Sequence, residues 1–201
     1  MGYIAIICVF LVIACGGGGE EAPVVAAPAT SAIIYPAPFQ SVTVSEITIK
    51  GESHAAVFPC DLFSVTCEND GVGGSTIEWL LENPDDRPLK TVIIFLGWNT
   101  LINNTVSFTV DKFTLFLWGI DSPKKYVCGL PVVAPAHRSK VIEYNARIKK
   151  LVGEDYYIDT LSIVADANGD WIPEMTSDGT HLSHQAYVLL VKEIKKRIED
   201  L

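Results

Sequence analysis

Apolar positions follow two rhythms along residues 47–201. "ITIK" (47–50), "FSVTC" (63–67), "TVIIFL" (91–96), "KYVCGLPVV" (125–133) and "DYYIDTLSIV" (155–164) are short, apolar-rich runs that read as strands. The third is continuously apolar, as expected of a strand buried on both faces. Between the runs, apolar residues recur at helical spacing. Ser75-Thr76-Ile77-Glu78 reads as a capping box opening a short helix through Leu81. Asp111–Ile120 carries one apolar side, and Ser139–Leu151 carries Val141, Ile142, Ala146 and Ile148. His184–Leu201 places Tyr187, Val191, Ile194, Ile198 and Leu201 on one stripe. Strands alternating with helices predict an α/β fold with a parallel sheet covered on both faces. No internal repeat is visible.

Upstream the pattern changes. "MGYIAIICVFLVIAC" is an apolar run too short to span a bilayer comfortably, and it ends in a small residue before a cysteine. Residues 1–14 read as an export signal. Val12-Ile13-Ala14-Cys15 resembles the lipobox of bacterial lipoproteins, in which the signal is cut before the cysteine and the cysteine is lipidated. No Lys or Arg supplies the expected basic n-region, and a plain secreted form is the alternative. Residues 15–40, rich in Gly, Pro and Ala, read as a tether, with the folded domain at 41–201. The expected location is the bacterial cell envelope, with the membrane reached through a lipid anchor at Cys15.

That assignment changes the cysteine count. Cys8 leaves with the signal and Cys15 goes to lipid, so Cys60, Cys67 and Cys128 remain. Cys60 with Cys67 is the local candidate for a disulfide, the alternative being three reduced, buried thiols. A net charge of −9 without a basic cluster argues against a nucleic-acid partner. A neutral or cationic partner, or a small uncharged substrate, fits better.

In a parallel α/β sheet ligands gather at the carboxyl ends of the strands, so the loops there are where chemistry is sought. Taken singly, Gly51-Glu52-Ser53, Gly71 to Gly74 and Asn99 each read as an ordinary turn or cap. Together they supply what acyl transfer requires. Ser53, at a sharp strand-to-helix turn, has an exposed hydroxyl that can attack a carbonyl. Asp178 and His181, three residues apart in a loop, can set carboxylate beside imidazole, fixing its tautomer and stabilising the imidazolium. The N–H groups of Ser53 and Gly74 and the Asn99 amide can form an oxyanion hole.

These stretches resemble the SGNH hydrolases, also called GDSL esterases/lipases. The corresponding segments are Gly51-Glu52-Ser53, "NDGVGGST" with Gly74, Gly97-Trp98-Asn99-Thr100, and Asp178-Gly179-Thr180-His181. The resemblance covers Ile47 to the C-terminal helix. It implies a three-layer α/β/α, flavodoxin-like fold with a five-stranded parallel sheet. It also implies Ser53 as nucleophile, His181 as base, Asp178 as its partner, and Ser53, Gly74 and Asn99 as oxyanion donors. Neither metal nor organic cofactor is required. Glu52 and Thr100 depart from the pattern, each standing where Asp is usual, and a catalytically degenerate glycan-binding relative is the alternative reading. Expected substrates are small-molecule or carbohydrate esters, above all acetyl esters, with lysophospholipids and thioesters as further alternatives.

Other residues are read more plainly. His54 is a pocket or surface residue, His137 a solvated loop residue or a cleft wall, and His184 a helix-start residue rather than a metal ligand. Trp98 could contact substrate, Trp171 could wall the pocket, and Trp118 with Phe113 and Phe116 is assigned to the core. Asp85, Asp86, Glu199 and Asp200 are assigned to a solvated surface.

Overall fold

The structure, a computed structural model, describes residues 46–131 and 135–198. The export signal, Cys15, the tether, Leu201, Glu199 and Asp200 lie outside the described residues.

Five parallel strands form one sheet in the order β2-β1-β3-β4-β5. They are β1 (Ile47–Gly51), β2 (Cys67–Gly71), β3 (Thr91–Phe95), β4 (Lys124–Cys128) and β5 (Tyr157–Ile158). Strand alternation sends Ile47, Ile49, Ile93 and Phe95 to one face and Val92 and Ile94 to the other. The first face is covered by α1 (Ser53–Ala56), α6 (Thr160–Val164) and α7 (His184–Arg197). The second is covered by α2 (Ile77–Glu82), α4 (Val106–Gly119) and α5 (Arg138–Val152), with α3 (Trp98–Leu101) between β3 and α4. The result is the expected three-layer α/β/α arrangement.

The chain leaves β1 for β2 on one side and returns to β3 on the other. Two neighbouring connections therefore diverge above β1, opening a crevice at the carboxyl ends. Gly51 closes this end of β1. A Cβ there would lie 1.9 Å from the Phe95 carbonyl oxygen, which accepts the Glu52 N–H at 3.0 Å. Only glycine lets the backbone leave β1 this close to β3.

Several elements differ from the sequence reading. The second strand is Cys67–Gly71 rather than 63–67. It pairs only with β1, and as an edge strand it tolerates polar residues. Its Glu68 and Asp70 meet Arg87, while Asp70 and Asp85 both accept from Lys50. Asp85 therefore belongs to a half-buried ion network, not to open surface. The fifth strand keeps two residues because Asp159 caps α6 through the Ser162 N–H. Helix α2 is capped by Thr76, whose hydroxyl accepts the Trp79 N–H, rather than by Ser75. Helix α4 begins at Val106, before the expected Asp111, because Thr105 caps it. Phe113 and Phe116 are core, but Trp118 is 74% exposed on the far side of that helix.

Cys60 and Cys67 are joined by a disulfide that ties the turn after α1 to the start of β2, and Cys128 is a buried free thiol. Among the described residues no helix is long and apolar enough to cross a membrane.

Candidate active site

Ser53 is the first residue of α1, directly after the Gly51-Glu52 exit from β1. The first N–H groups of a helix have no intrahelical acceptor, so the Ser53 N–H is available to a ligand at this position.

Asp178 and His181 are brought together by their own loop. The His181 Nδ1 lies 2.7 Å from Asp178 Oδ2, while Asp178 Oδ1 accepts the N–H groups of His181 at 2.7 Å and Thr180 at 2.9 Å. The His181 N–H, its ring, and the Thr180 N–H together hold the Asp178 carboxyl well below the usual carboxylate range. An ionised carboxylate can only accept, so the proton of neutral His181 sits on Nδ1 and the Nε2 lone pair is free to act as a base. Thr176 Oγ1 donates to the His181 carbonyl and accepts the Gly179 N–H, and the Trp171 indole donates to the Gly179 carbonyl. Trp171 thus braces this loop from behind.

No hydrogen bond joins Ser53 Oγ to His181 among the described residues. Catalytic hydrogen bonds are often long without substrate and tighten when it binds. The contact that does connect the two segments is made by His54, a buried residue at 4% exposure, whose ring centroid lies 5.4 Å from that of His181. Its carbonyl accepts the Tyr187 hydroxyl at 2.7 Å. His54 is therefore neither a surface residue nor a remote one.

Asn99 is fixed from two directions. Its side-chain amide donates to the Ser75 carbonyl at 2.8 Å, leaving the second amide hydrogen uncommitted, and its backbone N–H donates to Glu52 Oε2 at 2.9 Å. Glu52 Oε1 also accepts from Gly97 at 3.0 Å and Trp98 at 2.5 Å. One carboxylate thus clamps the exit of β1 to the exit of β3, which places the Asn99 segment beside Ser53. Gly74 sits in the exposed loop before Ser75 with φ +77, and a Cβ would meet nothing within 4 Å. It is needed for backbone conformation rather than for space.

The two departures from the family pattern both have partners. Glu52 makes the clamp just described. The Thr100 hydroxyl accepts the Ile77 N–H at 3.0 Å and donates to Glu78 at 2.9 Å, pinning α2 to α3. Sequence spacing does not reveal the Glu52, Thr100 and His54 contacts, because each joins residues far apart in the chain.

Burial pushes the Glu52 carboxyl up to about 7, opposed by the three N–H donors. Glu52 binds its proton more tightly in the folded than in the unfolded chain, so its contribution to stability is complete below pH 4.5 and is lost as pH rises through about 7. That corresponds to about 3 kcal/mol across the window. Glu52→Gln is expected to remove this part of the pH dependence of stability, which denaturant titrations of parent and variant between pH 4 and 8 would measure. Equal pH dependence in the two proteins would exclude it.

His137 sets its ring edge-on to Trp98 at 5.6 Å, so the two half-buried rings pack together. His184 is the exposed first residue of α7. An open crevice of about 340 Å³ beside the Asp178–His181 pair is lined by both residues with Val57, Pro59, Leu182 and Tyr187. No cluster of ligating side chains suited to a metal ion occurs among the described residues.

Neither a protein-family model nor a curated protein matches the sequence. Solved structures do. A proposed platelet activating factor from Streptococcus pneumoniae is 22% identical with a TM-score of 0.65, covering 78% of this chain and 85% of its own. A GDSL-like lipase from Bacteroides thetaiotaomicron is 19% identical with a TM-score of 0.60, covering 76% and 87%. Axe2, an acetylxylan esterase from Geobacillus stearothermophilus, is 12% identical with a TM-score of 0.56, covering 79% and 96%. The chain has the fold of the GDSL, or SGNH, hydrolases.

Proposed function

We propose that this chain is a serine ester hydrolase acting on short acyl esters. The observation that carries the reading is the Asp178–His181 pair, locked in the tautomer of a general base and packed against the helix whose first residue is Ser53. His181 Nε2 takes the Ser53 proton as Oγ attacks the ester carbonyl. The developing oxyanion is met by the Ser53 and Gly74 N–H groups and by the free amide hydrogen of Asn99. The His181 imidazolium, stabilised by Asp178, then protonates the leaving alcohol, and the Ser53 acyl-enzyme forms. Water deprotonated by His181 attacks that acyl group, and Ser53 leaves with the proton returned. All these groups belong to the chain itself, so the scheme invokes neither metal nor organic cofactor.

Asn99→Ala is expected to lower kcat by about 10²–10³-fold with little change in KM, because the amide hydrogen acts on the transition-state oxyanion. Steady-state kinetics on p-nitrophenyl acetate would show this, and an unchanged kcat would remove Asn99 from the oxyanion hole.

Acetyl on a carbohydrate is the preferred substrate. An acetylxylan esterase shares the fold, which supports this choice of substrate. Comparing p-nitrophenyl acetate with longer-chain esters and acetylated xylan tests this. Rates that fall with chain length support it, and rates that rise with chain length overturn it. The glycan-binding alternative rested on Glu52 and Thr100, and the bonds both residues make favour the enzyme reading instead.

Export and anchoring at Cys15 are part of the same proposal. The Cys60–Cys67 disulfide suits an oxidising compartment outside the cytosol. Expression of the full chain in a bacterial host with labelled palmitate is expected to label the parent and leave Cys15→Ser unlabelled. Equal labelling, or none in either, would refute the anchor.

A further inference from the structure

The loop that carries the base is poorly buried for a catalytic element. Asp178, Gly179 and Thr180 are exposed, the Asp178 side chain retains 54% of its accessibility and His181 32%. The hydrogen bonds of this loop fix its own shape, yet they run within the loop or to Trp171, on the same side of the molecule. They do not reference His181 to Ser53.

His54 supplies that reference in two ways. Its ring lies 5.4 Å from the His181 ring at an interplanar angle of 58°, on the inner side of the base. Its backbone carbonyl accepts the Tyr187 hydroxyl from α7, the helix that begins three residues after His181. Tyr187 in turn sets its ring edge-on to Phe58 at 5.2 Å, just beyond α1. The nucleophile's helix and the base's loop are therefore fastened at His54, adjacent in sequence to the nucleophile, with the Tyr187–Phe58 contact beside it.

The His54 ring is unusual in what it leaves unmade. Its Nδ1 is buried without a hydrogen-bond partner, and burial together with the neighbouring His181 pushes its imidazole down to about 4, with Asp178 opposing. Leaving a buried polar atom unpaired carries a desolvation cost. A phenylalanine of similar shape would avoid that cost, so what the position contributes to packing is a planar ring held neutral.

Resting on the esterase reading above, we propose that His54 is a positioning residue, whose neutral planar ring forms the inner wall against which the His181 imidazole is held toward Ser53. A neutral ring matters because His181 becomes an imidazolium during catalysis, and a second positive charge in contact would oppose it.

The test compares His54→Phe, His54→Leu and His54→Ala in the otherwise complete chain. Phenylalanine keeps the ring, leucine fills much of the space without one, and alanine opens the site. Leucine keeps the question answerable if alanine loosens α1. The expected result is a loss of kcat on p-nitrophenyl acetate of about tenfold or more in the leucine and alanine variants, with KM changed less. His54→Phe is expected to recover to within about threefold of the parent. A readout independent of turnover is the downfield proton NMR signal of His181 Nδ1–H in its bond to Asp178. It should persist in parent and phenylalanine variant and broaden in the leucine variant. A leucine variant with parental kcat and signal overturns the proposal, as does a folded phenylalanine variant no better than leucine. A parent that hydrolyses no ester but gives this NMR pattern would overturn the esterase reading and leave the positioning role standing.

Discussion

Replacing Ser53 by alanine is expected to lower kcat/KM for short esters by at least about 10⁴-fold, because the covalent route is lost and only residual stabilisation by the oxyanion donors and binding remains. Stability should barely change. The hydroxyl makes no hydrogen bond among the described residues, and alanine suits the first turn of α1 at least as well as serine. The experiment therefore separates chemistry from folding. Hydrolysis rates and melting temperatures of parent and variant are the measurements, and a Ser53→Ala protein that retains more than a tenth of parental activity would place the nucleophile elsewhere.

Asp178→Asn is the second large effect, about 10⁴-fold in kcat. Asp178 uses one oxygen to organise the loop and the other to hold His181. An asparagine can keep the first role through its carbonyl oxygen, accepting the Thr180 and His181 N–H groups. Its amide nitrogen can then only donate toward His181 Nδ1, which moves the ring proton to Nε2, where it blocks attack by Ser53. The loop should stay folded while the base is disabled. Kinetics at neutral pH with a circular-dichroism control measure this. A loss smaller than about tenfold would reduce Asp178 to a loop-shaping residue.

Fold and site differ in how far the sequence reveals them. The central strand β3 is buried on both faces and announces itself as an unbroken apolar run, and α5 is found by its spacing. The edge strand β2 gives no apolar signal at its true position because it need not be apolar on either face when Lys50 and Arg87 neutralise its acids. Trp118 reads as core in the sequence yet is exposed, because a helix rich in large apolar residues offers more than one stripe and only packing decides which is buried. At the site, Ser53, Gly74, Asn99, Asp178 and His181 are legible because each follows a strand-like run and falls in a motif resembling the SGNH pattern, although Ser53 and Asn99 lie in short helices rather than loops. The Asp178–His181 contact is readable from its three-residue spacing. The Glu52 clamp, the Thr100 bridge and the His54 wall are not, since the exits of β1 and β3, the helices α2 and α3, and α1 and α7 meet only once the sheet is assembled.

The serine mechanism is tested most directly by catching the acyl-enzyme. The parent is mixed with p-nitrophenyl acetate, quenched in acid within the first turnovers, digested and examined by peptide mass spectrometry. An acetyl group is expected on the peptide containing Ser53 and none on that peptide in Ser53→Ala. The acetylated species should accumulate in a variant slowed at deacylation. Hydrolysis by the parent with no acylated peptide in any variant, or with the acetyl group on another residue that turns over at the catalytic rate, would contradict the serine mechanism.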